Sequence, residues 1–286
     1  MFTLNCKGRL LVIDRPVIMG IINTTPDSFF SGSRKTVEDE LIAHAEKMIA
    51  DGASILDLGG QSTRPGSVRI SADEESARVI PAIRTISSRF PETILSIDSF
   101  YASVASDAVD AGASIINDIS AGTFDSAMIG TAAALKTPYV CMHMKGIPAN
   151  MQEKPVYENV LTDVFDFLSA KVAECRTAGI SDVIIDPGFG FGKSIADNFI
   201  LLQNLAAFQI LDCPILLGLS RKGSIYKTLN VEPSEALNGT TVANTVGLLN
   251  GASILRVHDV KEAVQAVQLI AEIKKVNGLP FTSNHL

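Results

Sequence analysis

The sequence predicts a single (β/α)8 barrel of the α/β class, and three observations predict it. Eight short apolar runs each begin just after a helix-stopping residue, and the stopper alternates between proline and glycine: Pro16, Gly52, Pro91, Gly112, Pro138, Gly179, Pro214 and Gly251. Between the runs lie amphipathic stretches of helical period, such as Val37 to Ala50, Glu74 to Ser88, Tyr157 to Ala178 and Val260 to Lys275. The runs themselves, as in Ile94-Leu95-Ser96-Ile97 and Val183-Ile184-Ile185, are nearly continuous and β-branched, the pattern of parallel strands covered on both faces. Eight strand–helix units in about 250 residues suit a closed barrel better than a doubly wound sheet.

In chain order, residues 1–16 precede the first strand and are expected to form a hairpin that caps the bottom of the barrel. The barrel is expected over 17–277, with 278–286 as a tail. The glycine stoppers stand in near copies of one segment: Gly52-Ala53-Ser54-Ile55, Gly112-Ala113-Ser114-Ile115, Gly251-Ala252-Ser253-Ile254 and the looser Gly179-Ile180-Ser181-Asp182. Each reads as a helix C-terminus turning into a strand. The prolines serve the same purpose, since proline cannot continue a helix and leaves the chain extended. The strands run out at Asn23, Asp57, Asp98, Asn117, His143, Asp186, Ser220 and the pair Arg256 and His258. Strand C-termini line one mouth of such a barrel, so these polar exits are expected to converge.

Composition narrows the partners. At 47% hydrophobic and 19% charged, 286 residues can bury one large core, and no linker or low-complexity tract divides it. The apolar stretch from Leu10 to Ile22 is broken by Asp14, Arg15 and Pro16, too short and interrupted for a signal or membrane span, so a cytoplasmic protein is expected. Cys6, Cys141, Cys175 and Cys213 lack metal-site spacing and read as structural thiols. A net charge of −7 argues against a nucleic-acid surface, and an anionic ligand would need cations gathered locally. The apolar helices of the last third, including Val242 to Leu249, point to a homodimer.

The exits carry the chemistry. After the first strand, Asn23 to Gly32 holds Phe29 and Phe30 in a polar loop, suited either to covering a flat ligand or to anchoring the loop itself. The second exit, Asp57 to Gly66, combines paired glycines with Arg64 on a stiff Pro65-Gly66 turn. Asp98 and Asn117 at adjacent strand ends offer acceptors and donors to a heterocycle, although Asp98 and Asp118 would each also serve as a helix N-cap. Met142 and Met144 suit a ring face or a core. The run Asp186-Pro187-Gly188-Phe189-Gly190-Phe191-Gly192-Lys193 is no dinucleotide loop, because lysine stands where the third glycine belongs. It reads instead as a ligand-facing carboxylate followed by a loop that sets Phe191 beside the site. Strand eight of a barrel closes on strand one, so Lys222, Arg256, His258 and Asn23 are expected to form one anion pocket. A basic surface cluster is the alternative for Arg221 and Lys222.

These segments together resemble the dihydropteroate synthase family of pterin-binding (β/α)8 barrels. The matching elements are Asn23-x-Thr25-Pro26-Asp27-Ser28-Phe29, Gly59-Gly60-x-Ser62-Thr63-Arg64-Pro65-Gly66, Ser96-Ile97-Asp98, Asn117-Asp118, Met142-His143, Asp186 to Lys193, Ser220-Arg221-Lys222 and Arg256-x-His258, in order along nearly the whole barrel. The resemblance implies a transferase that joins 6-hydroxymethyl-7,8-dihydropterin pyrophosphate to 4-aminobenzoate through a pterin cation, in folate biosynthesis, with sulfonamides competing. It implies that Asp98, Asn117, Met142, Asp186 and Lys222 bind the pterin. Asn23, Thr63, Arg64, Arg256 and His258 would take the pyrophosphate. Phe29, Thr63, Arg64, Pro65, Phe191 and Lys222 would build the aminobenzoate pocket, and Asp98, Lys222 and Asp27 would be catalytic. Mg²⁺ is the implied cofactor, with Asn23 as its ligand. A pterin-dependent methyltransferase on the same barrel, or a catalytically silent pterin-binding protein, is the alternative. The chain departs from the family pattern at Gln61, where glutamate is common, at Ser31, where an aspartate often stands, and at Gly223, where serine is frequent.

Overall fold

The computed structural model describes residues 1–24, 34–62, 66–146, 151 and 155–276. The chain opens with a hairpin of β1 (Phe2–Cys6) and β2 (Arg9–Ile13), paired antiparallel. Lys7 and Gly8 turn it with φ of 55° and 90°, the doubly left-handed geometry that matches strand twist.

Eight parallel strands follow: β3 (Val17–Asn23), β4 (Ile55–Gly59), β5 (Ile94–Asp98), β6 (Ile115–Asp118), β7 (Tyr139–Met142), β8 (Val183–Asp186), β9 (Leu216–Leu217) and β10 (Ile254–Val257). Their order is β8-β7-β6-β5-β4-β3-β10-β9, and a parallel bridge between Ile185 and Ile215 brings β9 back against β8. The barrel is thereby closed, and each strand begins where its stopper predicts. Gly52, Gly112, Gly179 and Gly251 have φ of 104°, 124°, 96° and 98°, the left-handed turn that ends a helix and that a Cβ would strain.

Helices α1 (Arg34–Ala50), α2 (Ala72–Arg89), α3 (Ala102–Ala111), α4 (Met128–Leu135), α5 (Val160–Thr177) and α6 (Ile195–Gln203) cross between strands. β9 is followed by two, α7 (Gly223–Leu229) and α8 (Leu237–Leu249), and α9 (Val260–Val276) completes the ring. The predicted helix from Tyr157 starts three residues later. Asn159 caps it there, its side chain accepting from the N–H groups of Leu161 and Thr162.

Strand alternation sorts the core into two layers. Leu56, Leu58, Leu95, Ile97, Ile116, Cys141, Ile185 and Leu255 pack into the large cluster between strands and helices. Their neighbours of opposite parity, including Met19, Ile55, Ile94, Ile115, Val140, Ile184, Leu216 and Ile254, meet in a separate cluster with Leu4, Cys6 and Ile13 of the hairpin. That second cluster is the floor of the barrel interior, and the hairpin plugs it from below as expected.

Candidate active site

The parity that builds the apolar floor also places the polar groups above it. Two residues on from a floor position lie Asp57 after Ile55, Ser96 after Ile94, Asn117 after Ile115, Met142 after Val140, Asp186 after Ile184, Gly218 after Leu216 and Arg256 after Ile254. Register carries the pattern across the sheet, with Asn23 opposite Gly59, Gly59 opposite Asp98 and Asp98 opposite Asn117.

At the centre is a charge network. Arg256 donates from Nε to Asp57 Oδ2 and from Nη2 to Asp98 Oδ2, each at 2.6 Å. Asn117 Nδ2 donates to the same Asp57 oxygen at 3.0 Å. Burial works against the charge on Arg256, but Asp57 and Asp98 outweigh it and raise its pKa. Burial pushes the Asp98 carboxyl up to about 7, with Arg256 pulling down and the carboxylates of Asp57 and Asp118 adding to the rise. Asp57 is fully buried, and its Oδ1 has no hydrogen-bond partner among the described residues. A bare acceptor inside a protein is costly unless a ligand or water completes it.

A second group lies across the mouth. Asp186 is buried and accepts from the N–H of Gly188 at 2.7 Å; burial raises its pKa and Lys222 opposes the rise. Lys222 donates from Nζ to the carbonyl of Phe189, and Nζ sits 4.4 Å from the centroid of the Phe191 ring. Burial lowers the ammonium to about 8, against the attraction of Asp186. A Cβ on Gly218 would stand 3.7 Å from Lys222 Nζ and 3.9 Å from Asp186 Oδ2, so this inward glycine keeps the space beside both charges open. Met142 and Phe191 belong to one small apolar cluster with Phe100, Ile119 and Met151.

The two basic residues after β9 part company. Arg221, with φ of 54°, forks onto Asp259 through Nε at 3.0 Å and Nη2 at 2.6 Å, which ties the β9 exit to the β10 exit. Lys222 turns towards Asp186 instead, so a surface cluster does not describe the pair. Beside them Ser220 Oγ lies 2.9 Å from His258 Nδ1 and accepts from the His258 N–H at 3.2 Å. Asp118 is no inward ligand: its carboxylate accepts from Ser120 N and Oγ, Gly122 N and the Tyr139 hydroxyl, each at 2.7 Å, and so caps the turn after β6.

The structure therefore brings together Asp98, Asn117, Asp186, Arg256 and Lys222 around the barrel mouth, with Met142 and Phe191 in one cluster there. Asn23 ends β3 in the same row, half-buried. Asp27, Phe29, Ser31, Thr63, Arg64 and Pro65 lie outside the described residues. Gln61 is buried, and its Oε1 accepts from the N–H of Ile70 at 2.8 Å, closing the base of its loop with a neutral group. Arg256 is engaged with carboxylates on β4 and β5, and its charge also acts on Lys222, whose pKa it helps to lower. Asp57, which sequence reasoning saw only as a strand end, is the hub of the network. The alternation of Leu56 and Leu58 around it already assigned it to the inward face.

Among the described residues no three His, Cys, Asp or Glu side chains are arranged to hold a metal ion. Asn23 offers a single neutral amide oxygen. Such a donor set fits Mg²⁺ that arrives with phosphate oxygens and keeps several waters, not a resident ion in a protein cage.

Comparisons with known proteins point to one family. The profile of the pterin binding enzyme family matches residues 19–258. The chain is 42% identical over 266 residues to the dihydropteroate synthase of Escherichia coli K12, covering 92% of this chain and 94% of that protein. The Xanthomonas albilineans dihydropteroate synthase solved with 4-aminobenzoic acid superposes with a TM-score of 0.89 at 40% identity, covering 95% of this chain and 98% of that one. The same enzyme in complex with 7,8-dihydropteroate gives a TM-score of 0.86 at 38% identity, covering 96% and 99%. This chain belongs to the pterin-binding enzymes and, within them, to the dihydropteroate synthases.

Proposed function

We propose that the protein joins 6-hydroxymethyl-7,8-dihydropterin pyrophosphate to 4-aminobenzoate, releasing pyrophosphate and 7,8-dihydropteroate. The observation that carries this reading is the guanidinium of Arg256 held between Asp57 and Asp98, with the Asn117 amide on the same Asp57 oxygen. The 2-aminopyrimidinone edge of a pterin presents N–H donors in a pattern close to that of a guanidinium. The carboxylates that grip Arg256 can therefore grip the pterin, and Asp57 Oδ1 is an acceptor awaiting a donor. Arg256, displaced, would turn to the pyrophosphate with His258 and Asn23.

Chemistry then needs charge placement more than a nucleophile. The methylene C–O bond to pyrophosphate breaks, the resulting cation is spread into the pterin ring, the amine nitrogen forms the C–N bond and its extra proton leaves to solvent. Asp98 and Asp186 would stabilise the cation, and Lys222, with Asp27 of the first loop, would complete the catalytic set. Asn117 and Met142 would orient the pterin. Thr63 and Arg64 would reach towards the pyrophosphate. Phe29, Thr63, Arg64, Pro65, Phe191 and Lys222 would bound the aminobenzoate. Asn23 would hold Mg²⁺, which when bound neutralises charge on the leaving group.

Two further features support the wider reading. The four cysteines are all free and buried, as suits a reducing cytoplasm. Val242, Val246 and Leu249 on α8 and Leu269 and Ile273 on α9 are exposed apolar side chains, a face suited to a second copy of the chain. Incubating the purified protein with both substrates and Mg²⁺ should release pyrophosphate and form dihydropteroate. Absence of turnover from a sample with an intact fold would overturn the proposal.

A further inference from the structure

Lys193 ends the Gly-Phe loop after β8, and its side chain lies inside the protein, 2% exposed. A buried lysine is unusual enough to require partners, and this one has four acceptors. Nζ lies 2.8 Å from Gly188 O, 2.9 Å from His143 Nδ1, 3.1 Å from Phe191 O and 3.3 Å from His143 O. Burial lowers the Lys193 amine to about 7, against the attraction of Asp186, and its N–H groups can donate to a neutral His143 imidazole at Nδ1. Burial first, and Lys193 second, push the His143 pKa down to about 2.

The loop folds around that amine. Gly188, Gly190 and Gly192 take φ of 72°, 81° and 64°. A Cβ on Gly188 would stand 1.8 Å from His143 O, and one on Gly192 would stand 2.1 Å from Lys145 O, so loop backbone lies directly on the backbone leaving β7. Lys193 Nζ bonds both segments at that seam. From the opposite side, the buried Asn198 of α6 accepts from Gly190 N at 2.6 Å and donates to Ser194 O at 2.6 Å.

What the loop presents to the site is the setting of Lys222. Its ammonium bonds the carbonyl of Phe189 and rests over the ring of Phe191, both within the segment Lys193 encloses. We propose that Lys193 is a positioning residue for the condensation: by binding the backbone of Gly188, Phe191 and His143, it holds Phe189 and Phe191 where they aim Lys222 at the arylamine. Pterin contacts from β4, β5 and β6 do not pass through this loop, whereas Asp186 of β8 touches it through the N–H of Gly188. The inference rests on the reaction proposed above.

The test is Lys193→Met in the full chain, run beside the wild type with each substrate varied and with direct titration of the pterin pyrophosphate. Misplacing a positioning group by about 1 Å can cost about 100-fold, so KM for 4-aminobenzoate should rise by about ten-fold or more, and kcat should fall, while the Kd of the pterin pyrophosphate, still held from β4, β5 and β6, rises by a clearly smaller factor. Loss of both substrates by one common factor, or unchanged kinetics, overturns the positioning role. If Lys193→Met does not fold, Asn198→Ala loosens the same loop from α6 and must show the same split between substrates. A wild type without turnover would instead sink the reaction itself, so the two failures are distinguishable.

Discussion

Arg256 Nε donates to Asp57 Oδ2 at 2.6 Å across 199 residues of sequence. Asp57 also receives the Asn117 amide, so one buried carboxylate fixes both a cation and a neutral group at the barrel mouth. Asp57→Asn keeps the shape and removes the charge. Arg256 is then left with Asp98 as its one ion-pair partner in the network. We expect kcat/KM for the pterin substrate to fall about 100-fold with the circular dichroism spectrum unchanged, since charge-assisted bonds at a buried site are worth about 1.5–3 kcal/mol each. Arg256→Ala should raise KM for the same substrate by about one to two orders of magnitude. Normal kinetics in both variants would exclude the network from catalysis.

Lys222 gives the pH dependence. Burial lowers its ammonium to about 8, so the empty enzyme loses this cation as pH rises through that value. Because kcat/KM reports the free enzyme, its alkaline limb should fall above pH 8. Lys222→Arg keeps its charge at any pH used, so its profile should be flat there even though its level is lower. The sign for stability is opposite: between about 8 and the ordinary 10.5 the unfolded chain holds the proton that the folded one has lost. This group therefore makes the fold more stable as pH rises across that window. An alkaline limb that persists unchanged in Lys222→Arg would assign the titration elsewhere.

These two cations show what the sequence can and cannot reveal. Stoppers such as Pro91 and Gly112 fix where strands begin, and period two then fixes which residues face inward, so Asp98, Asn117 and Asp186 were legible without coordinates. Pairing across the barrel was not. Which carboxylates Arg256 meets depends on strand tilt and register, which no local pattern encodes. Lys193 was hidden for a related reason: in sequence it shows only as the lysine where a dinucleotide loop would need glycine, and the carbonyls that bury it come together only when the β7 and β8 exits pack against each other. Arg221 reads like Lys222 in sequence, and only the position of Asp259 separates them.

Glu75 supplies a stability test away from the reacting groups. It is fully buried on α2, its Oε2 accepts from Ser99 Oγ at 2.9 Å, and its Oε1 has no partner among the described residues. Burial first, and then nearby Asp98, push its carboxyl up to about 7 against the Ser99 hydrogen bond. Between the ordinary value of 4.5 and about 7 the folded state keeps a proton that the unfolded state has released. Stability is therefore full below this window and is lost as pH rises through it, by on the order of 3 kcal/mol. Glu75→Gln replaces the acid by a neutral group of similar shape. Urea midpoints measured from pH 5 to 8 should fall for the wild type by more than for the variant, and parallel curves would show that Glu75 ionises freely.

Gly223 and Gly188 make opposite predictions for adding a side chain. At Gly188, φ is 72° and a Cβ would meet His143 O at 1.8 Å, so Gly188→Ala should cost at least about 2 kcal/mol and lower the melting temperature by several degrees. At Gly223, the first residue of α7, the nearest atoms to a Cβ are Tyr226 OH at 3.6 Å and Lys227 Cε at 3.7 Å, ordinary contact distances. Its φ lies outside the left-handed region, so a side chain brings no backbone strain. A serine here, directly after Lys222, brings a hydroxyl that can donate to a carboxylate beside that ammonium. Gly223→Ser should therefore leave the melting temperature within about a degree and lower KM for 4-aminobenzoate about three- to ten-fold, the range of one net hydrogen bond. An unchanged KM would place the aminobenzoate carboxylate away from the start of α7, and with it the role proposed for Lys222 in that pocket.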